Sequence, residues 1–291
     1  MKTWKEYLRP ATVSEALHAL ATGPGPACLI AGGTDLMLDL QQGRHPPVHT
    51  LVDLTFIPEM TALEIRGDRL FIGAAKPVSK VVEAELTQIH ARALVESAGL
   101  IAGPQVRNAA TLGGNVAHAL PAADGTISLV VLDAEVEIAS PTARRRIPIL
   151  ELFTGPGKSI LTEQELLVGF YLPLRAPHQA SAFRRIMRAQ GIALPILNLA
   201  VWLEREADTI RQIRIAVGPG GPTPWRAHVT EQALRGLTYN AETLALARKT
   251  LLDEVHFRSS PLRASAEYRR QLVVTLLNDT LETAWQRAGM D

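Results

Sequence analysis

Cysteine is almost missing from this 291-residue chain: Cys28 stands alone. One thiol forms no intrachain disulfide, builds no Cys-rich zinc site and ligates no iron–sulfur cluster. Charge of one sign is missing too. Thirty Lys and Arg face 29 Asp and Glu, a formal net charge of +1. No bulk field therefore draws the chain to nucleic acid or to an anionic membrane. Long hydrophobic runs are absent. The longest, Ile192 to Leu203, is interrupted by Pro195 and Asn198 and falls short of the roughly twenty residues that span a bilayer. The start, Met1-Lys-Thr-Trp-Lys-Glu6, is charged where a signal peptide needs an apolar core. These absences read as a soluble, cytoplasmic protein with neither nucleic acid nor membrane as partner. Catalytic signatures are scarce as well. No Ser/His/Asp set has a nucleophile-elbow context, and no carboxylate pair stands out. His45 and His49 are separated by Pro46-Pro47, which removes the helix that would make them a metal pair.

What is present is ordinary globular material: 47% apolar and 20% charged residues. The length is about twice that of a usual domain, so two domains are expected. Val13 to Leu20 has helical spacing, and Ala27 to Ala31 reads as a buried strand. Gly32-Gly33-Thr34-Asp35 then leads into a short helix, Leu36 to Leu40, and a second strand, Thr50 to Leu54. This is a β–α–β unit with glycines at its first turn. Leu63 to Gly73 predicts a hairpin about Gly67-Asp68, and Val78 to Val82 and Gln88 to Ala98 predict helices. Gly99 to Asp124 has no clear period. An apolar helix over 125–132 and a strand over 134–139 follow, and Leu166 to Leu172 is a strand closed by Pro173. Arg175 to Ala180 reads as a linker. Beyond it come three strands (181–187, 196–203 and 210–217), a turn-rich loop at Gly218 to Pro224, and helices over 229–234, 241–252 and 261–287. Strands and helices segregated in this way argue for an α+β fold.

Two loops carry candidate chemistry. In Ala31-Gly32-Gly33-Thr34-Asp35 the glycines permit positive φ and close ligand approach. Thr34 is a candidate N-cap, so the next helix offers free amides to a phosphate. Thr111-Leu-Gly113-Gly114-Asn115 repeats the theme, with an amide side chain added. Each alone also reads as a tight turn without a ligand. Together they suggest two turns converging on one diphosphate, with backbone amides supplying the compensating charge. Asp124 precedes an apolar helix, either as its N-cap or as an acceptor for ribose or ribityl hydroxyls. His118 lies near the second loop as a ligand contact or a surface residue. Arg144-Arg145-Arg146 reads as a solvated turn or a partner contact, and Arg184, Arg185 and Arg188 as a basic strand at the domain boundary.

The run from Gly103-Pro-Gln-Val-Arg107 through Thr111-Leu-Gly113-Gly114-Asn115 to Pro121-Ala-Ala-Asp124 resembles the FAD-binding medium subunit of the xanthine dehydrogenase and carbon monoxide dehydrogenase family, the molybdenum hydroxylases. Ala31 to Leu36 matches that family's other flavin loop. Leu152 to Lys158, Glu165 to Pro173, Ala182-Phe183, Ala216 to Gly218, Pro224 to Ala227 with Glu231, and Ala266 to Arg269 continue the likeness in order.

The resemblance implies a PCMH-like, two-lobed FAD-binding domain at 1–176, with lobes of about 1–55 and 56–176. A smaller α+β domain at 177–291, a three-stranded sheet with helices, would follow it. The implied cofactor contacts are Leu29, Ile30, Ala31, Gly32, Gly33, Thr34, Asp35 and Leu36 in the first loop. In the second they are Ala110, Thr111, Gly113, Gly114, Asn115 and His118. Asp124, the apolar Ile101 and Leu167, and Arg184, where relatives carry lysine, complete the set. His118 and Leu120 depart from the family's usual asparagine and serine. The implied activity is that of an oxidoreductase electron relay with no acid–base catalyst in this chain. A large subunit with the molybdenum cofactor and a small subunit with [2Fe–2S] clusters would feed FAD, which reduces NAD or dioxygen, in a dimer of heterotrimers. A self-sufficient FAD-dependent oxidoreductase with its own small substrate is the alternative, and a non-catalytic nucleotide-binding module a third.

Overall fold

The N-terminal β–α–β pattern folds into three parallel strands in the spatial order Glu6–Leu8, Thr50–Asp53, Ala27–Ile30. The computed structural model describes residues 4–187, 194–261 and 263–290. The first helix, Val13–Thr22, begins where Thr12 Oγ1 accepts from Glu15 N at 3.1 Å. The helix Leu36–Gln41 joins the second and third strands in sequence, and Ile30, Leu40, Val48 and Leu51 form the small core beneath.

Residues 63–173 build a five-stranded antiparallel sheet, ordered Leu63–Arg66, Arg69–Gly73, Leu166–Pro173, Glu135–Ala139, Arg144–Pro148. The central strand is buried from Leu166 to Leu172, as its continuous apolar run demands. The arginine triplet, read from sequence as a solvated turn, is an outer strand. Arg144 pairs with Glu59 and Glu137, Arg145 with Glu165, and the Arg146 guanidinium lies 3.6 Å over the Tyr171 ring. The stretch without a period holds two six-residue helices, Pro104–Ala109 and Leu112–Ala117. Six residues are fewer than two turns, too few for a 3.6 period to show. Similarly, the helix expected over 88–98 breaks at Ala91 into Glu85–His90 and Arg92–Gly99.

The C-terminal strands Gln179–Met187, Pro195–Glu206 and Thr209–Gly218 form an antiparallel sheet in sequence order, and the two-residue strand Trp225–Arg226 adds a fourth. Arg188 lies outside the described residues. Alternation along these strands divides two cores. Ala182, Leu199, Val201 and Val217 join the core under the 23-residue helix Ala266–Ala288. Phe183, Ala200, Trp202 and Ala216 join the core of the N-terminal half, against the fully buried helix Asp124–Val131. The long helix starts five residues later than Pro261 suggests, where Ser265 Oγ accepts from Tyr268 N at 3.1 Å. Among the described residues no helix is long and apolar enough to cross a membrane.

Candidate functional site

The strand Ala27–Ile30 ends in a turn that runs against the second loop. A Cβ on Gly32 would overlap the Ala109 carbonyl and fall 2.8 Å from Ala110 Cα. Only glycine lets the two segments touch there. Gly33 adopts φ +66°, the left-handed region, and a Cβ on it would lie 2.9 Å from Ile30 Cδ1. Thr34 is not the N-cap that the sequence suggests. Asp35 holds that position for Leu36–Gln41, in a helical conformation and without a side-chain capping bond. Among the described residues the amides of Gly32, Gly33 and Thr34 have no hydrogen-bond acceptor. Free N–H groups beside a left-handed glycine are suited to an anion.

The second loop is fixed from behind. Val78 N donates to Ala110 O and Gly113 N to Ala74 O, both at 2.8 Å. Thr111 Oγ1 accepts from Gly114 N at 3.1 Å and so caps Leu112–Ala117. The two glycines do different work. A Cβ on Gly113 would lie 2.6 Å from Ala74 Cβ, so Gly113 serves close packing. Gly114 is exposed, and a Cβ there would meet only Thr111 Oγ1, at 3.2 Å. It is the glycine with an open face. Asn115 Oδ1 is buried without a partner. His118 Nδ1 stands 3.9 Å from Asp35 Oδ2 and links the two loops across an exposed rim.

Arg107 belongs to the Gly103-to-Asn115 run, and its role is visible only in the fold. Its Nη1 donates to Ile101 O at 2.9 Å and to Ala102 O at 2.7 Å, holding Ala102 at φ +43° and Ile101 in place. Leu29, Ala31 and Ile101 are half-buried; Leu167 is a core residue beside a register shift in its strand.

Arg184 and Arg185 occupy opposite faces of their strand. Arg184 reaches Thr283 Oγ1 at 3.2 Å and comes within 3.8 Å of Glu96, toward the last helix. Arg185 turns the other way and pairs with Asp124. Asp124 does not cap its helix: Ala123 is the N-cap residue and no side chain closes that turn. Its carboxylate instead contacts Arg185 Nη1 and accepts from Asn198 Nδ2 at 2.7 Å. Burial pushes this carboxyl above its ordinary range, against the opposing pull of Arg185 and Asn198. Neither partner was signalled as such, although strand alternation separates 185 from 184.

The two loops touch where Gly32 meets Ala109 and Ala110. A cleft of about 430 Å³ beside the first helix and one of about 360 Å³ lined by His90, Arg92, Arg175, Trp202 and Arg287 both lie away from them. No group of three His, Cys, Asp or Glu among the described residues is placed to hold a metal ion. Converging glycine turns, free amides, the open face of Gly114 and the orphaned Asn115 oxygen fit a ligand with an anionic diphosphate and polar hydroxyls. The tight backbone positions at Gly32 and Gly33 point the same way.

Residues 2–175 match the family described as FAD binding domain in molybdopterin dehydrogenase, and residues 181–284 match the CO dehydrogenase flavoprotein C-terminal domain. The chain is 34% identical over 291 residues to the xanthine dehydrogenase FAD-binding subunit of Escherichia coli O157:H7, covering 99% of each chain. It is 29% identical over 284 residues to the carbon monoxide dehydrogenase medium chain of Hydrogenophaga pseudoflava, covering 98% of each. A solved carbon monoxide dehydrogenase from that organism superposes with a TM-score of 0.90 at 29% identity, over 97% of this chain and 98% of the other.

Proposed function

The chain belongs to the FAD-binding family of the molybdopterin dehydrogenases, and from that premise we propose that it is the flavin-holding electron relay of a multi-subunit molybdenum hydroxylase. The contact of Gly32 with Ala109 and Ala110 carries the reading, because it brings both glycine turns to one place. The amides of Gly32, Gly33 and Thr34 would meet the diphosphate from one side and the Gly114 face from the other. Asn115 Oδ1, buried and unpartnered beside Gly125, is among the described residues the one orphaned side-chain polar atom of the second loop and would gain a partner if FAD binding shifts that side chain. FAD, when bound, supplies reversible one- and two-electron transfer, and the protein supplies binding, orientation and shielding.

Electrons would enter from [2Fe–2S] clusters of a small partner subunit, fed by a large subunit holding the molybdenum cofactor. They would leave to an acceptor such as NAD or dioxygen. One cysteine in 291 residues supports clusters housed elsewhere. The assembly is a dimer of heterotrimers in the cytoplasm, and the boundary between the FAD-binding and C-terminal domains lies at 176/177, in the gap between the two family matches. Denaturing the purified protein should release intact FAD at about one per chain, and native purification should bring two further subunits. The chain alone should pass electrons from reduced flavin to an acceptor yet oxidise no organic substrate. Robust turnover by the lone chain would favour a self-sufficient flavoenzyme instead.

A further inference from the structure

The carboxylate of Asp124 is already committed within the protein. Asn198 Nδ2 donates to Oδ1, and Arg185 Nη1 meets Oδ2. Both partners stand on the C-terminal sheet, whereas Asp124 opens the helix that follows the second glycine loop. The pair is dry, with the side chains of Arg185 and Asp124 only 6% and 5% exposed. Asn198 Nδ2 also donates to Ala122 O at 3.1 Å, so the sheet grips this segment at two points. The grip continues inward. A Cβ on Gly125 would fall 2.8 Å from Asn115 Oδ1 and 3.0 Å from Leu112 Cδ1, so the helix carrying Gly114 rests on the residue next to Asp124. A contiguous line of contacts runs from Arg185 through Asp124 and Gly125 to Asn115. Removing one member of a dry ion pair leaves an uncompensated buried charge, which is relieved when the loop shifts or the surviving group neutralises, and either change alters the contact that holds the loop.

We propose that Arg185 and Asn198 are positioning residues for the flavin site: through Asp124 they set the placement of the Gly114–Asn115 segment. The C-terminal domain thereby governs how tightly FAD is held without any contact from these two side chains. This rests on the FAD reading above. Asp124 itself then acts as a strut.

The test uses the full-length chain, stripped of flavin and titrated with FAD. Asp124→Asn, Arg185→Gln and their double variant form a cycle, with Arg185→Lys as the conservative partner and Asn198→Ala as a milder change that keeps the ion pair. The readouts are the FAD dissociation constant, the visible circular dichroism of bound flavin and the thermal midpoint without FAD. Each single variant of the pair should weaken FAD about tenfold, and the double variant by no more than either single. Flavin dichroism should change alike in all three, and Arg185→Lys should recover part of the loss. Asn198→Ala should weaken FAD by about threefold. Multiplying effects in the double variant would overturn the proposal, because Asp124 would then act on FAD independently of Arg185. A lower midpoint for Asn198→Ala with wild-type FAD affinity and dichroism would also overturn it, leaving only domain packing. Should the wild-type chain take up no FAD, the underlying reading fails, a result distinct from either of these.

Discussion

Replacing Gly114 by alanine separates a ligand-facing glycine from a structural one. The new methyl would have one neighbour, Thr111 Oγ1 at 3.2 Å, and Gly114 is not among the positive-φ glycines. In Leu112–Ala117, alanine is favoured over glycine by about 0.8–1 kcal/mol. Against that, the Thr111 hydroxyl must give a few tenths of an ångström, loosening a capping bond worth about 1 kcal/mol. The two effects nearly cancel. Stability without FAD should change by less than about 1 kcal/mol, or roughly 2–4 °C in midpoint for a chain of this size. The methyl does, however, project onto the open face. If it displaces a diphosphate oxygen from a backbone amide, one charge-assisted hydrogen bond worth about 1.5–3 kcal/mol is lost. The FAD dissociation constant should then rise roughly tenfold to a hundredfold. Fluorescence titration and thermal melts on the same flavin-free preparation measure both quantities. A dissociation constant within twofold of wild type would refute the placement of the diphosphate at Gly114.

Gly32→Ala should behave differently, because its methyl strikes the Ala109 backbone; stability without FAD should fall by roughly 1–3 kcal/mol together with flavin content. A normal melt for this variant would contradict the loop contact. The Arg145 guanidinium beside Glu165 holds that carboxyl below its ordinary range. The pair's stabilisation is therefore complete above the unfolded value of about 4.3 and is lost as pH falls through the lower folded value. Arg145→Met should cost no more than about 1 kcal/mol at pH 7, since the arginine is half-exposed. Urea titrations from pH 7 into acid should show the gap to wild type closing, and a gap that widens would reverse the sign argued here. Burial raises the Cys28 thiol above its ordinary range. Iodoacetamide should label it more slowly than free cysteine at neutral pH and accelerate in alkali; rapid labelling at pH 7 would contradict the burial argument.

Apolar runs announced the central strands well. Leu166 to Leu172, Ile196 to Leu203 and Ile210 to Val217 all appear, each one to three residues longer at one or both ends. Among the six-residue helices, Leu36–Gln41 and Val78–Glu83 were legible, whereas Pro104–Ala109 and Leu112–Ala117 carry too few turns for a period and lay in the stretch without one. The strand Glu6–Leu8 gave no signal because all three of its residues are exposed. For the candidate site, glycine doublets beside Thr34 and Asn115 drew both loops out of the sequence, and family likeness added the other candidates. What stayed hidden was long-range: which residue answers Asp124. Arg185 lies 61 positions away and Asn198 74. Local reasoning offered an N-cap or an acceptor for cofactor hydroxyls, and the helix took Ala123 as its cap instead. Thr34 was lost as a cap for a related reason, the turn running one residue further, to Asp35.

The outer strand Arg144–Pro148 closes one side of the five-stranded sheet with an unpaired row of peptide groups. Such a border invites another chain to add itself by backbone hydrogen bonding, and bulky cationic side chains discourage the addition. Here three successive arginines occupy the border, anchored by Glu59, Glu137, Glu165 and the Tyr171 ring, and the strand ends in a proline that has no N–H to offer. Two copies meeting edge to edge would have to bring guanidinium groups together and break their anchoring. Exchange of the triplet for threonine or valine would keep the strand and lose the repulsion. The arginines thus make this border a poor template for edge-to-edge pairing.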